Sequence, residues 1–152
     1  MENTTSKKKV LITSAGGGFG LLATKALIEA GHTVVASMRD ISGRNKDKAA
    51  TLKDLGAAVI EMDVTNDASV EKGVAAAIGE AKGLDVLVNN AGVVVLGVQE
   101  TFTAGDLQKL FDINVFGVHR VTRAVLPNMR AQKSGLVVNI SSLLGRIAVP
   151  FY

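Results

Sequence analysis

The sequence predicts an α/β fold, in which helices cover both faces of a doubly wound parallel sheet of five strands. Short apolar runs alternate with longer amphipathic stretches along the 152 residues. Such alternation is typical of parallel strands joined by right-handed helical crossovers. The composition agrees with thin strands packed between helices, because Ala, Val, Leu and Gly are abundant and Trp is absent. We expect the strands in the order 3-2-1-4-5, with ligands at their carboxyl ends.

Three strands and two helices are expected in the first part of the chain. The helices stop at Gly31 and Gly56, since glycine readily takes the left-handed conformation that ends a helix. In chain order these elements are strand 10–13, helix 21–30, strand 33–38, helix 45–55 and strand 57–62.

The third helix begins after the third strand. Either Thr65 or Asn66 is a suitable cap, and Val70, Val74 and Ile78 fall on one helical face. Residues 84–89 follow as a fourth strand that is almost wholly apolar. That composition is expected of a strand covered on both faces.

A long fourth helix and a fifth strand complete the pattern. Thr103 can cap the helix, and Asp106 in its first turn is favoured by the helix dipole. We expect this helix to continue to about Met129, with Pro127 in its last turns, before strand 136–141.

The bulk composition excludes several classes of protein. Hydrophobic residues make up 47% of the chain, which is far above disordered composition. With no cysteine, disulfides and thiolate metal sites are excluded, and we expect neither a metal centre nor an oxidising compartment. A net charge of +3 without a basic, aromatic stripe argues against a nucleic-acid partner.

Nothing in the sequence indicates export or a membrane span. The first nine residues are polar and lysine-rich, so they lack the apolar core of a signal peptide. No apolar run approaches the length that crosses a bilayer. We therefore expect a cytoplasmic protein without a membrane partner.

A glycine-rich turn between the first strand and the first helix is the first candidate site. Glycines there let backbone N–H groups approach a pyrophosphate, and the helix N-terminus favours its negative charge. A flexible turn without a ligand is the alternative. The candidate cofactor-binding residues of the turn are Thr13, Ser14, Gly16, Gly17, Gly18, Phe19 and Gly20.

This turn resembles the Thr-Gly-x-x-x-Gly-x-Gly signature of the short-chain dehydrogenases/reductases. Thr13, Gly18 and Gly20 match it, whereas Ser14 stands at the first glycine. The resemblance implies a Rossmann-like fold that binds NAD or NADP. Because serine does not freely take a positive φ, we expect Gly16 and Gly17 to absorb the strain of the turn.

The end of the second strand bears on the choice of dinucleotide. An acidic residue at this tip would bind the ribose 2′-OH of NAD, but Ser37 and Met38 are uncharged and Arg39 follows them. In the family this arrangement implies NADP, with Arg39 on the 2′-phosphate. Asp40 could neutralise Arg39 or approach the ribose, and the family's second basic position is Gly17 here. A solvated loop cation and NAD as cofactor remain the alternatives.

Two further segments resemble cofactor contacts of the family. Asp63 and Val64 follow the third strand, where the resemblance implies contact with the adenine; a helix cap is the alternative for Asp63. Asn89 ends the fourth strand, and the small residues that follow would let the chain pass against the ribose and nicotinamide. These candidate cofactor-binding residues are Asn90, Ala91 and Gly92.

Two catalytic candidates follow from the same resemblance. Asn114 lies inside the long helix, where Asn is a mediocre helix former, so we expect it to perturb the helix and to support a proton relay. An exposed helical Asn is the alternative. Ser142 follows the fifth strand and corresponds to the serine that hydrogen-bonds the substrate carbonyl or hydroxyl.

The family's catalytic Tyr-x-x-x-Lys motif is not in this sequence. Tyr152 follows Ser142 too closely to be that tyrosine, and no lysine comes after it. We therefore expect residues 1–152 to be the N-terminal, cofactor-binding part of a truncated domain that has no dehydrogenase activity alone.

The resemblance implies an NADP(H)-dependent oxidoreductase that interconverts a carbonyl and a secondary alcohol. The small-molecule substrate is not readable from the sequence, and a homo-oligomer is expected for the full-length form. Two alternatives stay open at this point: a non-catalytic dinucleotide-binding or interaction protein, and one half of a split enzyme.

Overall fold

The computed structural model describes residues 6–148 and residue 150, so the expectation for Tyr152 lies outside the described residues. Five parallel strands form one sheet in the order β3-β2-β1-β4-β5, which confirms the predicted fold class. The strands are β1 (Lys9–Ile12), β2 (Thr33–Met38), β3 (Ala58–Glu61), β4 (Val86–Asn89) and β5 (Leu136–Asn139).

Five α-helices connect or follow these strands. They are α1 (Gly18–Glu29), α2 (Lys46–Asp54), α3 (Asp67–Ala81), α4 (Ala104–Phe111) and α5 (Val118–Gln132). Two single turns of 3-10 helix, Gln99–Thr101 and Leu143–Gly145, follow β4 and β5. All predicted elements are present, and most of their ends differ by one to three residues from the expected ends.

The long fourth helix runs without a break from residue 104 to residue 132, but it is not α-helical throughout. A π-helical segment, Asp112–Gly117, separates α4 from α5. The predicted start is confirmed: Thr103 Oγ1 accepts from Asp106 N at 3.2 Å, and Asp106 Oδ2 accepts from Thr103 N at 3.1 Å. Helix α5 contains Pro127 and extends three residues beyond Met129, to Gln132.

Asn66, rather than Thr65, caps α3. Its side-chain oxygen accepts a hydrogen bond from Ser69 N at 2.8 Å, which satisfies one of the free N–H groups of the first turn. Val70 and Val74 are buried, and Ile78 packs beside them. The predicted apolar face of α3 is therefore confirmed.

The core has two parts, one on each face of the sheet, because successive side chains of a strand point to opposite faces. On one face, Leu11 packs in what we call the α3–α5 core, with Val74 and Val121. On the other, Ile12 packs in the α1–α2 core, with Ala36 and Leu52. Helices cover both faces of the sheet, so the carboxyl ends of the strands are where a ligand can bind.

Candidate functional site

A cleft of about 450 Å³ lies at the carboxyl ends of the strands. It runs from the glycine-rich turn across the tip of β2 and past the segments after β3 and β4. Eight of the predicted cofactor-binding residues line it: Ser14, Gly16, Gly17, Arg39, Asp63, Val64, Ala91 and Gly92. Residues from four separate segments thus meet in one place.

The turn differs from its expected geometry at Ser14. Ser14 itself has φ 55, whereas Gly17 is extended with φ −179. The expectation that Gly16 and Gly17 absorb the strain was therefore wrong, since the serine takes the left-handed conformation. Gly18, with φ 52, is the glycine of the turn that uses its conformational freedom.

Gly20 is required by close packing rather than by its backbone angles. A Cβ atom at this position would lie 2.5 Å from Ser14 O and 2.8 Å from Asn90 Nδ2. By contrast, a Cβ on Gly17 would meet nothing within 4 Å. The turn is therefore tight on its inner side and open on the side that faces the cleft.

A set of hydrogen bonds joins the turn to the segment after β4. The buried Thr13 Oγ1 accepts from Asn90 N at 3.0 Å and from Ala91 N at 2.9 Å. Asn90 Nδ2 in turn donates to Thr13 O and Ser14 O at 2.9 and 3.2 Å. These bonds fix the two walls of the cleft relative to each other.

Asn89, the last residue of β4, joins this strand to the elements on its other side. Its Nδ2 donates to Asn139 Oδ1 at 2.9 Å and to Thr122 Oγ1 at 3.0 Å. The side chain is buried, so these partners satisfy a polar group that would otherwise be costly. Strand β5 and helix α5 are thereby tied to β4 beside the cleft.

The two charged candidates at the tips of β2 and β3 face each other. Arg39 Nη1 lies 3.9 Å from Asp63 Oδ2, with both side chains partly exposed. Asp40 does not form an ion pair with Arg39 in the described chain. Its carboxylate instead accepts from Arg44 N at 3.0 Å within its own loop.

Asp63 does not cap α3, because Asn66 does. Its Oδ1 accepts from Thr65 N at 2.9 Å and from Thr65 Oγ1 at 2.8 Å. Partial burial raises the pKa of Asp63, but the bonds from Thr65 and the charges of Arg39 and Arg120 outweigh it, so the pKa lies below its ordinary value. Asp63 therefore stays charged through the neutral range.

Asn114 lies in the π-helical segment and reaches back to the loop after β4. Its Oδ1 accepts from Val93 N at 2.9 Å, and its Nδ2 donates to Val93 O at 2.8 Å. The predicted local perturbation of the helix is confirmed by the π-helix around it. Both polar atoms of the Asn114 amide bond to the backbone of Val93, a residue that lines the cleft. Asn114 and Val93 are therefore held together.

Ser142 and Phe19 lie outside the lining of the cleft. The Ser142 hydroxyl accepts from Leu144 N at 3.1 Å and begins the single helical turn after β5. Phe19 is 80% exposed at the start of α1. Both belong to the edge of the sheet where the strands end.

Sequence reasoning missed two cations that line the same cleft, Arg44 and Lys48. Both belong to the segment between β2 and the first turn of α2, so the rule that placed Arg39 at the carboxyl edge of the sheet could have included them. Among residues 6–148 and 150, no group of His, Cys, Asp and Glu side chains is arranged to hold a metal ion. In the same residues, no helix is long and apolar enough to cross a membrane.

Comparisons with known proteins all point to one family. A family model described as short chain dehydrogenase matches residues 8–152. A 3-ketodihydrosphingosine reductase of Bacteroides thetaiotaomicron is 37% identical over 142 residues, with 93% of this chain and 49% of the relative covered. The NADP-dependent 3-hydroxy acid dehydrogenase YdfG of Escherichia coli is 38% identical over 141 residues, with 90% and 54% covered.

Solved structures agree with these relatives. A gluconate 5-dehydrogenase from Burkholderia cenocepacia, in complex with NADP and tartrate, is 33% identical with a TM-score of 0.83. The likeness covers 95% of this chain and 57% of that protein. The chain thus spans about half the length of the relatives it matches.

Proposed function

The chain belongs to the short-chain dehydrogenase family, and we propose that it is the cofactor-binding part of an NADP(H)-dependent oxidoreductase that interconverts a carbonyl and a secondary alcohol. The observation that carries this proposal is the meeting of the glycine-rich turn, Arg39, Asp63 and the segment after β4 around one cleft. The named NADP dependence of the Escherichia coli relative supports the choice of dinucleotide.

The residues around the cleft fit an elongated, phosphorylated ligand. Gly16 and Gly17 expose backbone beside the N-terminus of α1, where a pyrophosphate is favoured. The space beside Gly17 is open, since no atom lies within 4 Å of where its Cβ would be. In our proposal Arg39 receives the 2′-phosphate, Asp63 and Val64 border the adenine, and Ala91 and Gly92 border the nicotinamide ribose.

NADPH supplies a hydride to the carbonyl carbon when it is bound. We assign Ser142 to a hydrogen bond with the substrate oxygen and Asn114 to the relay that brings a proton to that oxygen. The two hydrogen bonds between the Asn114 amide and the backbone of Val93 hold Asn114 beside the cleft, which supports this assignment. Because Tyr-x-x-x-Lys is absent, we expect no turnover by these 152 residues alone.

Cofactor binding is the first test. Calorimetric titration of the 152-residue chain with NADPH should give saturable binding. NADH should bind more weakly. Arg39→Gln should reduce that preference and leave NADH affinity nearly unchanged. Equal affinities for the two dinucleotides in the unsubstituted chain would contradict the choice of NADP.

Turnover is the second test. Purified chain, NADPH and a panel of small ketones should show no oxidation of NADPH, which is followed by its absorbance. The natural polypeptide that carries these residues should reduce one of the ketones. In that polypeptide, Ser142→Ala should lower kcat by about 10²-fold or more, because an orienting hydrogen bond in the reaction is lost.

The remaining attributes follow from the same proposal. We expect a cytoplasmic protein that assembles as a homo-oligomer and has no nucleic-acid partner. Saturable NADPH binding without turnover in the natural polypeptide would favour a non-catalytic dinucleotide-binding protein. Activity restored by a separate chain would favour one half of a split enzyme.

A further inference from the structure

Three cations line one end of the cleft. Arg39 stands at the tip of β2, Arg44 in the loop that follows, and Lys48 in the first turn of α2. All three are exposed. The end of the cleft nearest β2 is therefore strongly basic, while Asp63 is the acidic residue that lines it.

Lys48 extends over the glycine-rich turn. A Cβ atom built on Gly16 would lie 3.4 Å from Lys48 Cδ and 3.2 Å from Met38 Sδ. The lysine stem thus packs across the turn and brings its charge from a different helix to the cleft. A Cβ atom at position 16 would just touch this stem and would press more closely on Met38.

The loop between β2 and α2 is held by contacts that leave its cations available. Asp40 accepts from Arg44 N, and Asn45 Nδ2 donates to Arg39 O at 2.7 Å. In the described part of the chain, neither Arg44 nor Lys48 lies within salt-bridge distance of a carboxylate. Fixed backbone and unpaired guanidinium and ammonium groups favour a multiply charged anion.

We propose that Arg44 and Lys48 form, together with Arg39, the site that receives the 2′-phosphate of the dinucleotide, with Lys48 reaching it across the glycine-rich turn. This inference rests on the proposed function, in which Arg39 alone was assigned to that phosphate. A phosphate monoester carries nearly two negative charges at neutral pH, so it suits several cations better than one. Selectivity for NADP over NAD then depends on α2 as well as on β2.

The test compares dinucleotides that differ only in the 2′-phosphate. Lys48→Ala and Arg44→Ala are made in the natural polypeptide, and the Kd of NADPH and of NADH is measured by calorimetry. Each substitution should raise the Kd of NADPH about tenfold, which is the size of one charge-assisted hydrogen bond, and that of NADH less than twofold. Lys53→Ala, an exposed lysine of α2 outside the cleft, is the matched control and should change neither.

A smaller probe isolates the phosphate. Adenosine 2′,5′-diphosphate and adenosine 5′-diphosphate are titrated into the same proteins, and Lys48→Ala should weaken the first much more than the second. Adding salt should weaken the first ligand more steeply, because exposed charges are screened.

The outcomes separate this inference from the proposed function. If the unsubstituted protein binds neither NADPH nor NADH, both fail. If it prefers NADPH and the Lys48 and Arg44 variants keep that preference, only the three-cation site is overturned. Equal losses for NADPH and NADH would also overturn it, since they would place these residues away from the 2′-phosphate.

Discussion

At the scale of single residues, the carboxyl edge of the sheet is set by short polar side chains that bond to backbone. Thr13 and Asn90 fasten the glycine-rich turn to the end of β4, and Asn89 fastens β4 to β5. Each bond satisfies a polar group that is partly removed from water. Ser14 is the exception, because its backbone is strained and its side chain is exposed.

Replacing that serine should stabilise the fold. A residue with a side chain at positive φ costs about 1–2 kcal/mol, and glycine avoids this cost but adds about 0.5–1 kcal/mol of chain entropy. Ser14→Gly should therefore raise the free energy of unfolding by about 0.5–1 kcal/mol in urea titrations. Lys82→Gly, which has φ 55 at the end of α3, is the control away from the cleft and should give a similar gain. A loss of stability in Ser14→Gly would show that the serine side chain contributes more than its backbone costs.

Asp63 should give the fold a specific dependence on pH. Its pKa is lower in the folded state, so its contribution is complete above the unfolded pKa of about 3.9 and is lost as pH falls through the folded value. The free energy of unfolding of the wild type and of Asp63→Asn is measured by urea titration at several pH values. The difference between the two should shrink as pH is lowered from 6 to 3. Glu80→Gln, at an exposed position of α3, is the control. Its difference from the wild type in free energy of unfolding should not shrink in this way as pH is lowered. Parallel curves for wild type and Asp63→Asn would contradict the prediction.

At the scale of secondary structure, the π-helix between α4 and α5 determines where Asn114 points. Its first residue, Asp112, pairs with Arg120 of α5 at 2.7 Å. Arg120 Nε also reaches Asp67 at 3.3 Å, and Nη1 donates to Val64 O at 3.3 Å. One guanidinium therefore joins the π-helix, the start of α3 and the segment after β3, and π-helical segments occur often at functional sites.

Removing that guanidinium should loosen all three elements. Arg120 is only 21% exposed, so Arg120→Met keeps the packing of the stem but loses the charged hydrogen bonds. We expect the free energy of unfolding to fall by about 2–3 kcal/mol. Arg123→Met, an exposed arginine on the same helix, should change it by less than about 0.5 kcal/mol. Equal effects of the two substitutions would show that the Arg120 contacts do not support the fold.

At the scale of the whole molecule, one sheet separates two cores but also joins them. Adjacent residues of β1, Leu11 and Ile12, belong to opposite cores. Strands β1 to β4 each contribute side chains to both cores, so neither layer of helices can leave without exposing the strands. We expect a single cooperative unfolding transition.

Cavities on either face should test that cooperativity. Leu52 in the α1–α2 core and Leu87 in the α3–α5 core are both fully buried, so Leu52→Ala and Leu87→Ala should each cost about 2–5 kcal/mol. Leu22→Ala, at a position that is 64% exposed, should cost little. The urea transition should stay single in all three, by circular dichroism and by amide hydrogen exchange alike. Two separate transitions in either core variant would show that the faces unfold independently.

The sequence by itself determined the fold class, the order of the elements and eight of the residues that line the cleft. These depend on local signals, namely apolar periodicity, caps such as Thr103, and glycines between a strand and a helix. The carboxyl ends of parallel strands meet at one edge, so residues after β1, β2, β3 and β4 could be grouped without coordinates. The cleft confirms that grouping for Ser14, Arg39, Asp63 and Gly92.

Only the tertiary structure decided the features that depend on contacts between distant segments. Ser14 takes a positive φ inside a turn that Asn90, from the segment after β4, holds closed. Arg120 braces a π-helix against α3, and Lys48 crosses the glycine-rich turn from α2. Periodicity and composition describe neighbours along the chain, whereas these contacts arise when the sheet brings remote side chains within a few ångströms of one another.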